Sequence, residues 1–150
     1  MKTLPPLLIV TDRGHFIAYR IYPDGNPEVL DHATFAEGVQ KLSEQVTDRA
    51  GGFPNGGTEG KGNSAAERMT LVAEMEMRCF RHIGEHITNV LKSHEGPWGF
   101  AAPSEINSAI LDQLDKTYLT RLKINVPRDL ARIPSVEIPQ HFMNARQSDG

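Results

Sequence analysis

The chain has 150 residues, of which 39% are hydrophobic and 23% charged, and its formal net charge is −3 at pH 7. That length suits one domain burying about 70% of its unfolded surface, which excludes the small folds that depend on disulfide or metal staples. The acidic balance excludes a global attraction to nucleic acid, and the single cysteine, Cys79, excludes an intramolecular disulfide and fits a reducing compartment.

The first apolar run, residues 7–10, is four residues long and follows two prolines. It is too short for a signal sequence or a membrane span, so a cytoplasmic protein with no membrane partner is expected. Residues 7–11 and 15–22 read as strands joined by a tight turn at Asp12, Arg13 and Gly14. Pro23, Asp24, Gly25 and Asn26 form a second turn into a third strand over residues 28–35. Val39, Leu42 and Val46 give residues 37–49 a faint helical period.

Residues 51–62 are rich in glycine and lead into Ser64, Ala65, Ala66 and Glu67. The S-x-x-E spacing is that of a capping box, which predicts a mobile loop ending abruptly at Ser64. Behind it Ala65, Met69, Val72, Met75, Cys79, Ile83, Ile87 and Val90 recur at steps of three and four. This is the buried stripe of a helix of roughly 30 residues, stopped by His94, Gly96 and Pro97. Residues 98–102 read as a buried strand and residues 104–114 as a helix. Residues 121–126 alternate like a half-buried strand, and residues 135–142 form a last helix before a frayed tail from Asn144. The order favours a single α/β domain over residues 1–143, with a mixed sheet, an antiparallel opening meander and crossover helices.

Several chemistries can be weighed on spacing. The glycine-rich loop lacks both the P-loop and the dinucleotide pattern, so no nucleotide cofactor is expected. His82, Glu85 and His86 match H-x-x-E-H, which places two histidines on one helical face, but a zinc site needs a third ligand and neither Glu105 nor Glu137 has a supporting motif. Asp12 supplies one carboxylate where a two-metal nuclease needs several. No G-x-S-x-G elbow is present. Neither a complete catalytic constellation nor a metal site is therefore expected. Arg121 and Lys123 fall on one face of the last strand, followed by Arg128 and Arg132, and this cluster is a candidate contact for RNA phosphate or simply a guard against edge pairing.

Four stretches carry a resemblance: V-T-D-R-G-H-F-I-A-Y-R from Val10 to Arg20, D-R-A-G from Asp48 to Gly51, A-A-P-S-E-I-N from Ala101 to Asn107, and R-D-L-A-R-I-P-S-V-E-I from Arg128 to Ile138. Together they resemble the bacterial host-attachment protein family, a group similar to the middle domain of archaeal and eukaryotic peptide-chain release factors. The resemblance implies a ribonuclease-H-like fold of the translational-machinery type. It also implies a loop finger, equivalent to the release factors' Gly-Gly-Gln followed by Ser-Ala, at Lys61, Gly62, Asn63, Ser64 and Ala65, or alternatively at Gly56, Gly57 and Thr58. Asn63 is one methylene shorter than the glutamine it would replace. A non-catalytic, release-factor-like module presenting Gly56, Gly57, Lys61, Gly62, Asn63 and Ser64 to a ribosome or tRNA-containing partner is therefore the first expectation. The second is an interaction protein needed indirectly for attachment to host cells or surfaces, and the third a zinc hydrolase.

Overall fold

The computed structural model describes residues 4–35 and 61–149. The residue 37–49 helix and the positions Gly56 and Gly57 lie outside them.

Strand β1 (Leu7–Thr11) is buried at every position, as a strand covered on both faces must be. It pairs antiparallel with β2 (His15–Ile21), which pairs antiparallel with β3 (Pro27–Thr34). The chain then enters α1 (Lys61–Lys92) and returns as β4 (Trp98–Ala101), parallel to β1 on its other side. Helices α2 (Ser104–Leu111) and α3 (Lys116–Leu119) lead to β5 (Leu122–Val126), parallel to β4. A 3-10 turn (Ser135–Glu137) and α4 (Ile138–Asp149) complete the chain. The sheet order is β3-β2-β1-β4-β5, a single mixed α/β sheet.

Strand alternation divides the core into two layers. Leu7, Ile9, Phe16, Trp98 and Phe100 face Ile83, Ile87 and Leu91 of α1 and Ile106 and Ile110 of α2. Leu8, Val10, Tyr19, Ile124 and Val126 face Leu130, Ile138 and Phe142 on the other side. Burial of the Tyr19 ring pushes its phenol pKa above the ordinary value.

Two glycines are set by close packing. A Cβ on Gly99 would stand 2.7 Å from both Ile124 Cγ2 and Leu8 Cδ2, and 3.3 Å from the Phe142 ring. On Gly84, in the middle of α1, a Cβ would stand 2.9 Å from the Cβ of Gln113. Glycine weakens a helix interior, yet α1 runs unbroken through Gly84, because at this point α1 and the chain after α2 come too close for a side chain.

The structure corrects four expectations. The long helix is already under way at Lys61, so Lys61, Gly62, Asn63 and Ser64 form its first turn rather than a loop, and Ser64 does not mark its start. A cap contributes only about 1 kcal/mol, and extending a helix that is already nucleated costs little per residue, so a capping-box pattern is a weak stop signal. The second helix ends at Leu111 rather than Leu114, and a separate turn, α3, follows. Asp115 caps α3 by accepting from the Thr117 N–H at 3.0 Å, and this bond and the Thr117 hydroxyl hold its carboxyl below the usual range. The stretch from Asn144 is helical to Asp149 instead of frayed, continuing from the buried anchors Ile138 and Phe142. The helical stripe also contains Phe80 and Leu91, both buried, which the three-and-four count passes over.

Gly99→Ala is expected to destabilise the domain by about 2 kcal/mol through overpacking, with an unchanged denaturant m-value, as measured by urea unfolding.

Candidate functional site

Ligands of open α/β sheets sit outside the carboxyl ends of parallel strands, where neighbouring connections diverge. Here that place lies beyond Thr11 of β1, Ala101 of β4 and Val126 of β5, because from β1 the chain runs one way through β2 and β3 and later returns on the other side as β4. The residues there are largely engaged with one another. Asp12 is 8% exposed, and its Oδ1 accepts from the N–H groups of Gly14 and His15, both at 2.7 Å, and lies 3.2 Å from His15 Nδ1. The Thr11 hydroxyl donates to the His15 carbonyl at 2.7 Å. These bonds build the tight β1–β2 turn, so the carboxylate considered for metal binding serves as a backbone brace.

That turn is docked onto α1. Arg13 Nε reaches Glu76 Oε1 at 2.7 Å, and the Cys79 thiol donates to the Arg13 carbonyl at 3.3 Å. Burial pushes the Cys79 pKa up; the nearby Arg13 guanidinium works against this, while Glu76 and Asp12 reinforce it. A thiol held in this way carries less thiolate at neutral pH than a free cysteine, which is the reverse of an activated nucleophile. On the other flank Asn107, buried in α2, and Asn125 of β5 exchange amide hydrogen bonds at 2.8 and 2.9 Å, and Asn107 Nδ2 also reaches the Ala102 carbonyl at 3.4 Å. Spacing gave no signal for this pair, since its partners stand 18 residues apart.

The predicted basic cluster divides. Arg121 precedes β5 and turns inward, its guanidinium donating to the carbonyls of His94 at 2.7 Å, Gly96 at 3.2 Å and Leu91 at 3.4 Å. It also stacks 5.5 Å from the Tyr118 ring centroid. It is therefore corrected from a phosphate contact to a clamp on the carboxyl end of α1, where a cation also meets the negative end of the helix dipole. Lys123, Arg128 and Arg132 are exposed. The Trp98 ring is fully buried, and its Nε1–H donates to the Tyr118 carbonyl at 2.8 Å.

The H-x-x-E-H residues separate as well. His86 packs between Phe16 and Phe35, with ring centroids 5.6 and 5.4 Å away, whereas His82 and Glu85 are exposed. Glu105 and Glu137 are exposed on α2 and the 3-10 turn. Among the described residues no group of three or more His, Cys, Asp or Glu side chains could hold a metal ion. No described helix is long and apolar enough to cross a membrane.

Comparison with known proteins then assigns the family. The model of a family described as "Protein required for attachment to host cells" matches residues 7–142, and the chain belongs to that family. No curated protein matches the sequence. Among solved structures, a Chromobacterium violaceum protein provisionally described as an N-acetylglucosamine kinase aligns over 90% of this chain at 17% identity, with a TM-score of 0.42. The aligned region spans 59% of that protein's own chain, and at this score the likeness carries no argument.

Two outcomes follow from the turn. Asp12→Ala should cost about 2 kcal/mol in urea unfolding, because two backbone N–H groups and the imidazole lose their acceptor, while Asp12→Asn keeps an amide oxygen there and should cost less than half as much. Cys79 should react with a thiol reagent at pH 8 several-fold more slowly in the folded protein than in urea, because its raised pKa depletes the thiolate.

Proposed function

We propose that this member of the host-attachment family serves attachment to host cells or surfaces as an interaction protein rather than a catalyst, acting indirectly from the cytoplasm. The observation that carries the reading is the family match over residues 7–142, essentially the whole described domain. The site chemistry is consistent with a non-catalytic role. The carboxylate beyond β1 braces its own turn, the cysteine beside it is pushed toward its neutral form, and the amides beyond β4 and β5 bond to each other.

A finer assignment concerns the fold. The antiparallel meander β1–β2–β3 continued on the other side of β1 by the parallel strands β4 and β5 supports a ribonuclease-H-like domain. The release-factor-like reading, with a ribosomal or tRNA-containing partner, rests on sequence resemblance alone and takes second place. Lys61, Gly62, Asn63 and Ser64 belong to a helix, and the phosphate cluster loses Arg121 to an internal role.

Deleting the gene in its native cell is expected to reduce adhesion to host cells in a washing assay, with recovery on complementation. Genes carrying Cys79→Ser or His82→Ala should complement as well as the original, because neither residue does chemistry. Full adhesion in the deletion strain would overturn the attachment role, and loss of complementation by a folded His82→Ala protein would overturn the non-catalytic one. Tagged protein should remain at the top of a sucrose gradient; sedimentation with ribosomes would restore the translation-associated reading to first place.

A further inference from the structure

Helix α1 presents a second face, turned away from the sheet, that the core does not use. Two open grooves of about 690 and about 330 Å³ run along it and meet at Arg81, the first beginning at Thr70 and the second ending at Lys92. At 1.5 Å per residue the face is about 33 Å long. The residues lining the grooves include Glu74, Arg78, Arg81, Glu85 and Lys92, all exposed, and among the described residues none of these five charges has an ion-pair partner. Met77, 46% exposed, also lines the first groove. A row of charges of both signs, left unpaired on a rigid helix, is an arrangement suited to a complementary helix. A polyanion fits it poorly, because Glu74 and Glu85 interrupt the basic residues.

The charge order specifies the complement. If a second α1 is laid antiparallel along this face, with the two-fold axis on the outer side of the helix at the level of Ile83, residue numbers that face each other sum to twice 83. Glu74 then meets Lys92 and Arg81 meets Glu85, each contact occurring twice by symmetry. Met77 falls opposite Asn89, and Arg78 opposite Thr88, all of them groove positions. We infer that the outer face of α1 is a self-association surface, on which a second copy of this chain docks antiparallel through reciprocal Glu74–Lys92 and Arg81–Glu85 pairs.

Contact of one helix face with another lies at the small end of specific interfaces, and its attractive contacts are exposed ion pairs. The dimer is therefore weak and salt-sensitive. Such pairing does not depend on the attachment role, and it is read out on purified protein.

Sedimentation velocity of the full chain from about 10 µM to about 1 mM, in buffers of about 20 mM and about 500 mM salt, tests it. The expected result is a concentration-dependent dimer at low salt that dissociates at high salt. The double variant R81E/K92E turns all four cross-helix contacts repulsive and should raise the dissociation constant by about tenfold or more. The quadruple variant E74K/R81E/E85R/K92E restores opposite charges in the same register and should recover the dimer. All four positions are exposed, and circular dichroism verifies that each variant is folded. A wild-type protein that stays monomeric at low salt overturns the proposal. So does a folded R81E/K92E that dimerises undiminished, or a folded quadruple variant that stays monomeric.

Discussion

The parallel pairing of β1 with β4 leaves Leu7–Thr11 bonded to a strand on each side and buried beneath helices on both faces. Two layers must therefore close over one strand pair, and they do so asymmetrically. Trp98 and Phe100 fill the space under α1 and α2, while on the opposite face Gly99 yields its space to Leu8, Ile124 and Phe142. Large side chains on one side of β4, and only Gly99 and the small Ala101 on the other, let α4 settle against the sheet. Much else depends on that closure: the C-terminal half of α1 is fixed by Ile83, Ile87 and Leu91, and its end is clamped by Arg121.

The polar residues at the carboxyl end of the sheet follow the same economy. Buried polar groups need partners, and here Asp12, Asn107 and the Arg13 carbonyl find them within the domain rather than in a ligand. A carboxylate that accepts two backbone N–H bonds in a tight turn is well placed to hold β1 against β2, and the Arg13–Glu76 pair then joins that turn to α1. The chain thus has a stiff frame around the place where α/β proteins commonly work.

Sheet edges are guarded differently on the two sides. The pairing register of β3 with β2 shifts between Ala18 and Tyr19, passing over Leu30 of β3, and exposed Glu28 and Asp31 flank the irregularity. On β5 the exposed Lys123 and the following Pro127 stand at the opposite edge, residue types that disfavour pairing with a further strand. Neither edge is a flat apolar template for a further strand.

Local pattern was enough for every described strand, for the long helix with its stop near Gly96, and for the α/β class, because alternation and three-and-four spacing report directly which side of an element is buried. The ordered motifs were also enough for the family. What only the tertiary structure decided were the roles of particular polar residues. Arg121 reads as one of four surface cations until the end of α1 is brought beside it, and His86 belongs to a metal-motif spacing that names no packing partner until Phe16 and Phe35 close around it. Asn107 and Asn125 carry no pattern at all before α2 and β5 meet. A side chain's hydrophobicity is its own property, whereas the partner of a charge or an amide is a fact about distance, and distances between residues far apart in the chain exist only after it has folded.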